Sequence, residues 1–390
     1  MSILILIVGV LLFISLVIIH EFGHFWVAKR NGVEPEEFGI FFPPALYKRK
    51  TKKGWIFSVN LLPLGGFVKL KGEHDSDTVR GSFGAASLLA KSKIMLAGVF
   101  FNLVTAVILL IILAWIGLPQ LVGGQFNVSG NASHISRQEV LVTSIQSHSP
   151  AASIGIASED QIVAIGHPGE LKPVNTITDL QRLTHDYAGQ QVEVAYKTNG
   201  QEEIKSVRLL SASVVNASLK TKNPKGYFGV TLASLTMRQY SWWAGPVEAA
   251  GLTLQVIKLT FVGLGHALVG LGQIIAGLVT GNTAARQHGQ TVASSQVAGP
   301  IGIFVILKDG SVLGYQYMLF IIAIISLTLA IMNILPLPAL DGGRLWLTLI
   351  FRSIGKKLSA SLEETINAVG MFILLTLIVL VSLVDIHRFF

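Results

Sequence analysis

The chain contains no cysteine in 390 residues. Disulfides, iron–sulfur clusters and thiolate zinc sites are therefore excluded, and any metal must be held by His, Asp or Glu. Charge is scarce as well. Only 13% of residues are charged, where a soluble globular domain carries about 25%. Hydrophobic residues make up 51% of the chain, and mean hydropathy is +0.60. Such a composition excludes an ordinary soluble enzyme and indicates a polytopic membrane protein with one soluble insert. The net charge of +8 fits basic loops on the cytoplasmic side. Nucleic acid is not an expected partner; the lipid bilayer is.

Long apolar runs are what the sequence has in quantity. A membrane-spanning helix needs about 20 apolar residues. The spacing predicts four spans: residues 1–28, 94–118, 317–337 and 366–384. Ser361 and Glu364 stand at capping-box spacing before the fourth. The first stretch, MSILILIVGVLLFISLVII, has no basic leader and no small-residue cleavage site, so it reads as a retained helix. Residues 244–281 are apolar too, but Lys258, His266 and many glycines interrupt them. Charge decides how to read that stretch. The loop 28–93 holds 12 Lys and Arg in 66 positions, against 13 in the 198 positions of 119–316. The positive-inside rule puts the first loop in the cytoplasm and the long region outside. Arg344, Arg352, Lys356 and Lys357 put the loop after the third span inside again. These assignments agree only if 244–281 crosses zero or two times, so an interfacial or re-entrant helix pair is expected there.

Residues 127–232 read as an inserted α+β domain outside the membrane. Apolar alternation in EVLVTSI, QQVEVAYK and EIKSVRLL predicts strands. TITDLQRLTHDYAG predicts a helix, with Thr178 and Gln181 at capping-box spacing and Gly189 as its C-cap.

One motif carries chemistry. HEFGHF, residues 20–25, ends the first span. Four residues apart in a helix, His20 and His24 share one face, one turn apart, and can bind one tetrahedral Zn²⁺. Glu21 sits on a neighbouring face, placed to take a proton from a water on the metal rather than to ligate it. An ionisable group at membrane depth costs at least about 2.5–3.5 kcal/mol, which is why such groups are usually functional. A third ligand must come from elsewhere. Asp341, in NILPLPALDGG (333–343), is the candidate: Pro336 and Pro338 break the helix, and Gly342 and Gly343 permit tight turns. The first span reaches the cytoplasmic side near His24, and the third leaves towards the same side near Asp341, so the two lie at similar depth.

With these residues in place the chain resembles the site-2 proteases, in particular the bacterial regulator-of-sigma-E protease type, over nearly its whole length. HEFGHFWVAKRNGV is similar to that family's first-helix zinc motif. VNLLPLGGFVKLKGE (59–73) is similar to its membrane-dipping β element, AGVFFNLVTAVIL to its second-helix Phe-Asn motif, and VAGPIGI (297–303) to the segment before its third helix. NILPLPALDGG matches its Asp motif almost residue for residue. The resemblance implies a membrane α-helical fold with four transmembrane helices, a membrane-dipping β element within the cytoplasmic loop 29–93, and an inserted PDZ-like domain. It implies a zinc metalloendopeptidase that cuts single-span membrane proteins in or near their transmembrane segments, such as an anti-sigma factor or a remnant signal peptide, in the bacterial inner membrane. His20, His24 and Asp341 would bind Zn²⁺ and Glu21 would be the base. Asn102, Asn333, Pro336 and Pro338 would serve substrate near the metal, and Gly65, Gly66, Phe67 and Val68 would clamp it as an edge strand. SHSPAASIGIASEDQIVAIG (147–166) resembles a PDZ domain of the bacterial protease type, with Glu159 where a glycine is usual; it would act as a size filter or bind a peptide terminus. The run EFGIFFPPALYKRK departs from the family's pattern. Two other functions stay open on the residues alone: a membrane metal transporter, and an inactive PDZ-bearing receptor. The fourth span offers only Asn367, Thr376 and Ser382 for an ion route, which argues against the first.

Overall fold

A computed structural model of the chain describes residues 2–389 except Asn199, Lys220, Lys222, 295–298 and Lys357. Two units emerge: Met1–Ile112 with Ala249–Phe390, and Leu113–Glu248.

The first unit starts with α1 (Ser2–Arg30), an unbroken apolar helix. It stops at Gly32, whose φ of +76° is the left-handed conformation that glycine adopts without steric cost. β1 (Pro35–Lys50) and β2 (Ile56–Leu70) follow and pair with each other. Both are long and bent. Residues 35–40 pair with 66–70 on one side and with 56–59 on the other, while 45–50 pair with 56–60. The 66–70 segment therefore lies at an edge of this sheet. α2 (Leu88–Ile116) comes next.

The second unit, Leu113–Glu248, is an α+β body. In chain order it contains β3 (Leu118–Pro119), β4 (Ser133–Ile145), α3 (Pro150–Ser153), β5 (Gln161–His167), β6 (Glu170–Pro173), α4 (Ile177–Asp186), β7 (Gln191–Thr198), β8 (Gln201–Arg208), α5 (Ala212–Ser218) and β9 (Val230–Tyr240). Its strands form one sheet in the order β3-β9-β4-β5-β7-β8, with β6 on β5. The inward residues of the alternating strands, Val140, Val142, Ile162, Ile165, Val192, Val194 and Tyr196, meet Leu180 and Leu183 of α4 in one core. Burying each aliphatic side chain of this kind contributes about 1.5–3 kcal/mol.

The chain then returns to the first unit through α6 (Ala244–Thr280), followed by α7 (Thr283–Ser294), α8 (Pro300–Leu313), α9 (Tyr315–Ile334), α10 (Asp341–Ser353) and α11 (Ala360–Phe389). Leu16 of α1, Leu307 of α8, and Met318 and Ile322 of α9 form one cluster. Lipid tails are as apolar as leucine, so these helices associate through close packing at small residues rather than through the hydrophobic effect. A Cβ on Gly9 would stand 2.3 Å from Met318 Sδ, and one on Gly23 would stand 2.9 Å from the Ala97 carbonyl oxygen.

Several expectations need correction. Among the described residues, five helices are long and apolar enough to cross a membrane, those at Ile3–Arg30, Leu88–Ile116, Ala244–Thr280, Tyr315–Ile334 and Ala360–Ile386, so the stretch read as interfacial also meets that measure. The stretch 244–281 holds one continuous helix of 37 residues rather than a pair. Its length of about 55 Å, at 1.5 Å per residue, is nearly twice the bilayer core. The pair arises one element later, where α7 folds back so closely that a Cβ on Gly289 would stand 2.6 Å from the Gly270 carbonyl oxygen. The segment after Asp341, read as a loop, is the helix α10. Helix α4 is capped by Thr176 and Asp179, which bond each other's backbone N–H reciprocally, not by Thr178 and Gln181. Of VAGPIGI, Val297 and Ala298 lie outside the described residues, and Pro300 opens α8. Glu159 sits at φ +76°, a conformation suited to the glycine it replaces.

Candidate metal centre

His20 and His24 project from α1 one turn apart towards the first residue of α10. Asp341 Oδ2 stands 2.9 Å from His20 Nε2 and 3.1 Å from His24 Nε2. The two Nε2 atoms are 3.2 Å apart. Two ring nitrogens and a carboxylate oxygen thus converge across 321 residues of sequence. They form the one group of three or more His, Asp or Glu able to hold a metal among the described residues. Tetrahedral zinc with bonds of about 2.0–2.1 Å separates its ligand atoms by about 3.3 Å. The spacing fits zinc, and so does the donor set of two imidazoles and one carboxylate, which leaves a fourth position open.

The ring orientations have local causes. His24 Nδ1 donates to the Ile94 carbonyl at 2.7 Å, which keeps the Nε2 lone pair free for a metal. His20 is buried, at 8% exposure. Its ring lies on Gly98 of α2, where a Cβ would stand 2.4 Å from Cε1. The Asn102 carboxamide lies 3.4 Å from His20 Nδ1, and its Oδ1 is buried without a partner. The backbone carbonyl of Asn102 accepts from Ser326 of α9 at 2.8 Å, which ties α2 to α9 at this level. On the far side of the turn, Gly342 and Gly343 pack against the carbonyls of Leu335 and Leu337, where a Cβ would stand 2.3 and 2.1 Å away. Only glycine lets α10 start so close to the end of α9.

Glu21 interacts electrostatically with His24, His20 and Asp341 and accepts a backbone hydrogen bond from Val68. The Cβ that Gly66 lacks would stand 3.1 Å from Glu21 Cγ. The 66–70 edge of β2 therefore runs past Glu21, with Gly66, Phe67 and Val68 paired to Ile40, Gly39 and Phe38. Gly65 precedes them, and the Cβ it lacks would stand 3.1 Å from the Phe42 ring. The paired strand β1 is the run whose sequence departs from the family's pattern. The Asn333 amide donates to the Leu329 carbonyl in its own helix at 3.0 Å. Pro338 packs against Gly370 of α11 and with it lines an apolar groove of about 310 Å³, while Pro336 sits in the turn ahead of it. Sequence reasoning missed Gly98, the Ile94 carbonyl and Gly39. Gly39 offers a signal of the same kind as Gly98: a Cβ there would strike the Phe67 ring at 2.2 Å.

Comparison with known proteins agrees with this geometry. The chain is 29% identical over 381 residues to the "Putative zinc metalloprotease" of Clostridium perfringens, covering 98% of each. It is 27% identical over 389 residues to a protein of the same description from Agrobacterium fabrum, covering 95% of this chain and 92% of that one. It is 24% identical over 462 residues to the "Regulator of sigma-E protease" of Salmonella typhimurium, covering 96% of each. The apolar helices and these relatives define a multi-pass membrane zinc metalloprotease. The model of peptidase family M50, the site-2 proteases, matches residues 8–377, and the chain belongs to that family.

Proposed function

We propose that the protein hydrolyses peptide bonds within or near the transmembrane segment of single-span membrane proteins, as in regulated intramembrane proteolysis, from the bacterial inner membrane. The carrying observation is the convergence of His20, His24 and Asp341 at 2.9–3.2 Å on helices flanked by membrane-length apolar runs. His20, His24 and Asp341 would hold the zinc. Bound there, zinc lowers the pKa of a water to about 7 and polarises a carbonyl. Glu21 takes the proton that the attacking water loses and returns it to the leaving amine. Asn102, with its carboxamide turned so that Oδ1 faces Nδ1–H of His20, accepts that proton's hydrogen bond and keeps Nε2 free for the metal; this turn leaves its shape unchanged.

A helical substrate hides its carbonyls in its own hydrogen bonds and must be unwound before attack. The 65–68 edge supports that step, since an extended segment can add to it as a strand beside Glu21. The 113–248 unit lies outside the membrane in this reading and acts as a PDZ-like module. A groove between α4 and the start of β9, lined by Ile177, Leu180, Phe228 and Val230, supports binding of an extended peptide end there. A transporter is not favoured. The test is cleavage of a panel of single-span substrates by wild type and Glu21→Gln. Loss of cleavage with zinc still bound supports the reading, and full activity of the variant rejects it.

A further inference from the structure

Away from the metal centre lies a cluster of ionised side chains that no step above uses. Asp75 is 1% exposed, Lys91 0% and Glu363 3%. Asp75 Oδ1 accepts from Lys91 Nζ and, at 3.1 Å, from an Arg352 Nη. Its Oδ2 accepts from the Leu358 N–H at 3.3 Å. Glu363 Oε2 accepts from the Asp75 N–H at 3.1 Å, and Oε1 from Arg344 Nε at 2.9 Å. Arg344 also donates to the Glu73 carbonyl, and its guanidinium lies 4.6 Å over the Phe83 ring. Four segments meet here: the 73–84 loop and the starts or ends of α2, α10 and α11. Helix α10 supplies both arginines, so it is fastened at its first turn and at its last. Its first residue is Asp341.

We infer that Arg344 and Arg352, held by Glu363, Asp75 and Lys91, form an electrostatic clamp that sets the position of α10 and so the place of Asp341 Oδ2 against the two imidazoles. The inference rests on the proposed role of Asp341 as a zinc ligand. Its physical basis is a contrast between two kinds of contact. The apolar contacts of α10, such as Leu345 with Phe83, Ile94 and Met95, are non-directional. A buried charge left unpaired is costly, so interlocked ion pairs admit one arrangement. Arginine suits the task because its planar fork reaches two acceptors in fixed directions, as Arg344 does with Glu363 and Glu73. The turn that joins α9 to α10 includes Ala339 at φ +74°, a conformation that persists only where the surrounding structure holds it.

Zinc retention against a chelator tests the clamp on the full-length protein in detergent. The variants are Arg344→Met and the double variant Arg344→Met/Glu363→Met, which leaves neither charge unpaired and so keeps the test valid if the single variant does not fold. Contacts that orient metal ligands are worth about 10–100-fold in metal affinity. Both variants are therefore expected to lose zinc at chelator concentrations about tenfold lower than wild type, with kcat reduced and KM unchanged. Arg344→Lys, which retains the charge, is expected to recover part of both losses. A folded double variant that retains zinc as firmly as a zinc-loaded wild type overturns the clamp alone. A wild type that holds no zinc overturns the proposed function and the clamp together.

Discussion

The ring of His20 rests on the bare Cα of Gly98: a Cβ there would stand 2.4 Å from Cε1, 2.6 Å from Nδ1 and 2.6 Å from Nε2. The imidazole is thus seated against the backbone of α2, and its position depends on the absence of a side chain. Gly98→Val is expected to push the ring out of line with His24 and Asp341. Zinc content per chain should fall well below that of wild type, while a far-UV spectrum in detergent stays helical. Gly98→Ala should show the same loss in milder form.

Asn102 meets the same ring from one turn further along α2. Replacing it with alanine removes the hydrogen-bonding partner of His20 Nδ1. Metal affinity should drop about 10–100-fold, the range for contacts of this kind. Competition with a fluorescent zinc chelator measures the drop, and Asn102→Asp, which keeps an acceptor oxygen, should recover part of it.

Asp75 links stability to pH. Burial works against ionisation of its carboxyl, but Lys91 and Arg352 outweigh burial and hold it below the ordinary carboxylate range. His74, Asp77, Glu363, Glu364 and Arg344 are further titratable groups in this cluster. A depressed pKa contributes stability that is present above the unfolded value of about 3.9 and is lost as pH falls through the folded value. Thermal unfolding of wild type in detergent should therefore weaken below pH about 4. Asp75→Asn should be less stable at neutral pH, by about 3–5 kcal/mol for one partner of a buried pair, and should lack this part of the acid loss.

The 113–248 unit has a core of its own, and Ile165 is fully buried in it. Ile165→Ala should destabilise that unit by about 2–5 kcal/mol. Limited proteolysis should then cut within 113–248 before the membrane helices. Zinc content should stay that of wild type, since no candidate ligand comes from this unit.

Helical spacing made part of the site readable in advance. His20 and His24 fall on one face because they are four apart, and Asp341 stands out because prolines and glycines surround a carboxylate at the end of an apolar run. The features that escaped are those where packing overrides local preference. Gly342 and Gly343 suggest a loop by propensity, yet α10 begins there because no side chain would clear the carbonyls of Leu335 and Leu337. Lys258 and the glycines of 244–281 suggest an interrupted segment, yet the helix runs through them. The buried ion cluster around Asp75 was invisible because its members come from four separate segments.

The central claim is that two imidazoles from α1 and one carboxylate from α10 hold a single zinc ion. Metal analysis of purified full-length protein tests it most directly, comparing wild type, Glu21→Gln and Asp341→Ala. One zinc per chain is expected in the first two, with almost none in the third. A folded Asp341→Ala chain that still carries one zinc would contradict the account.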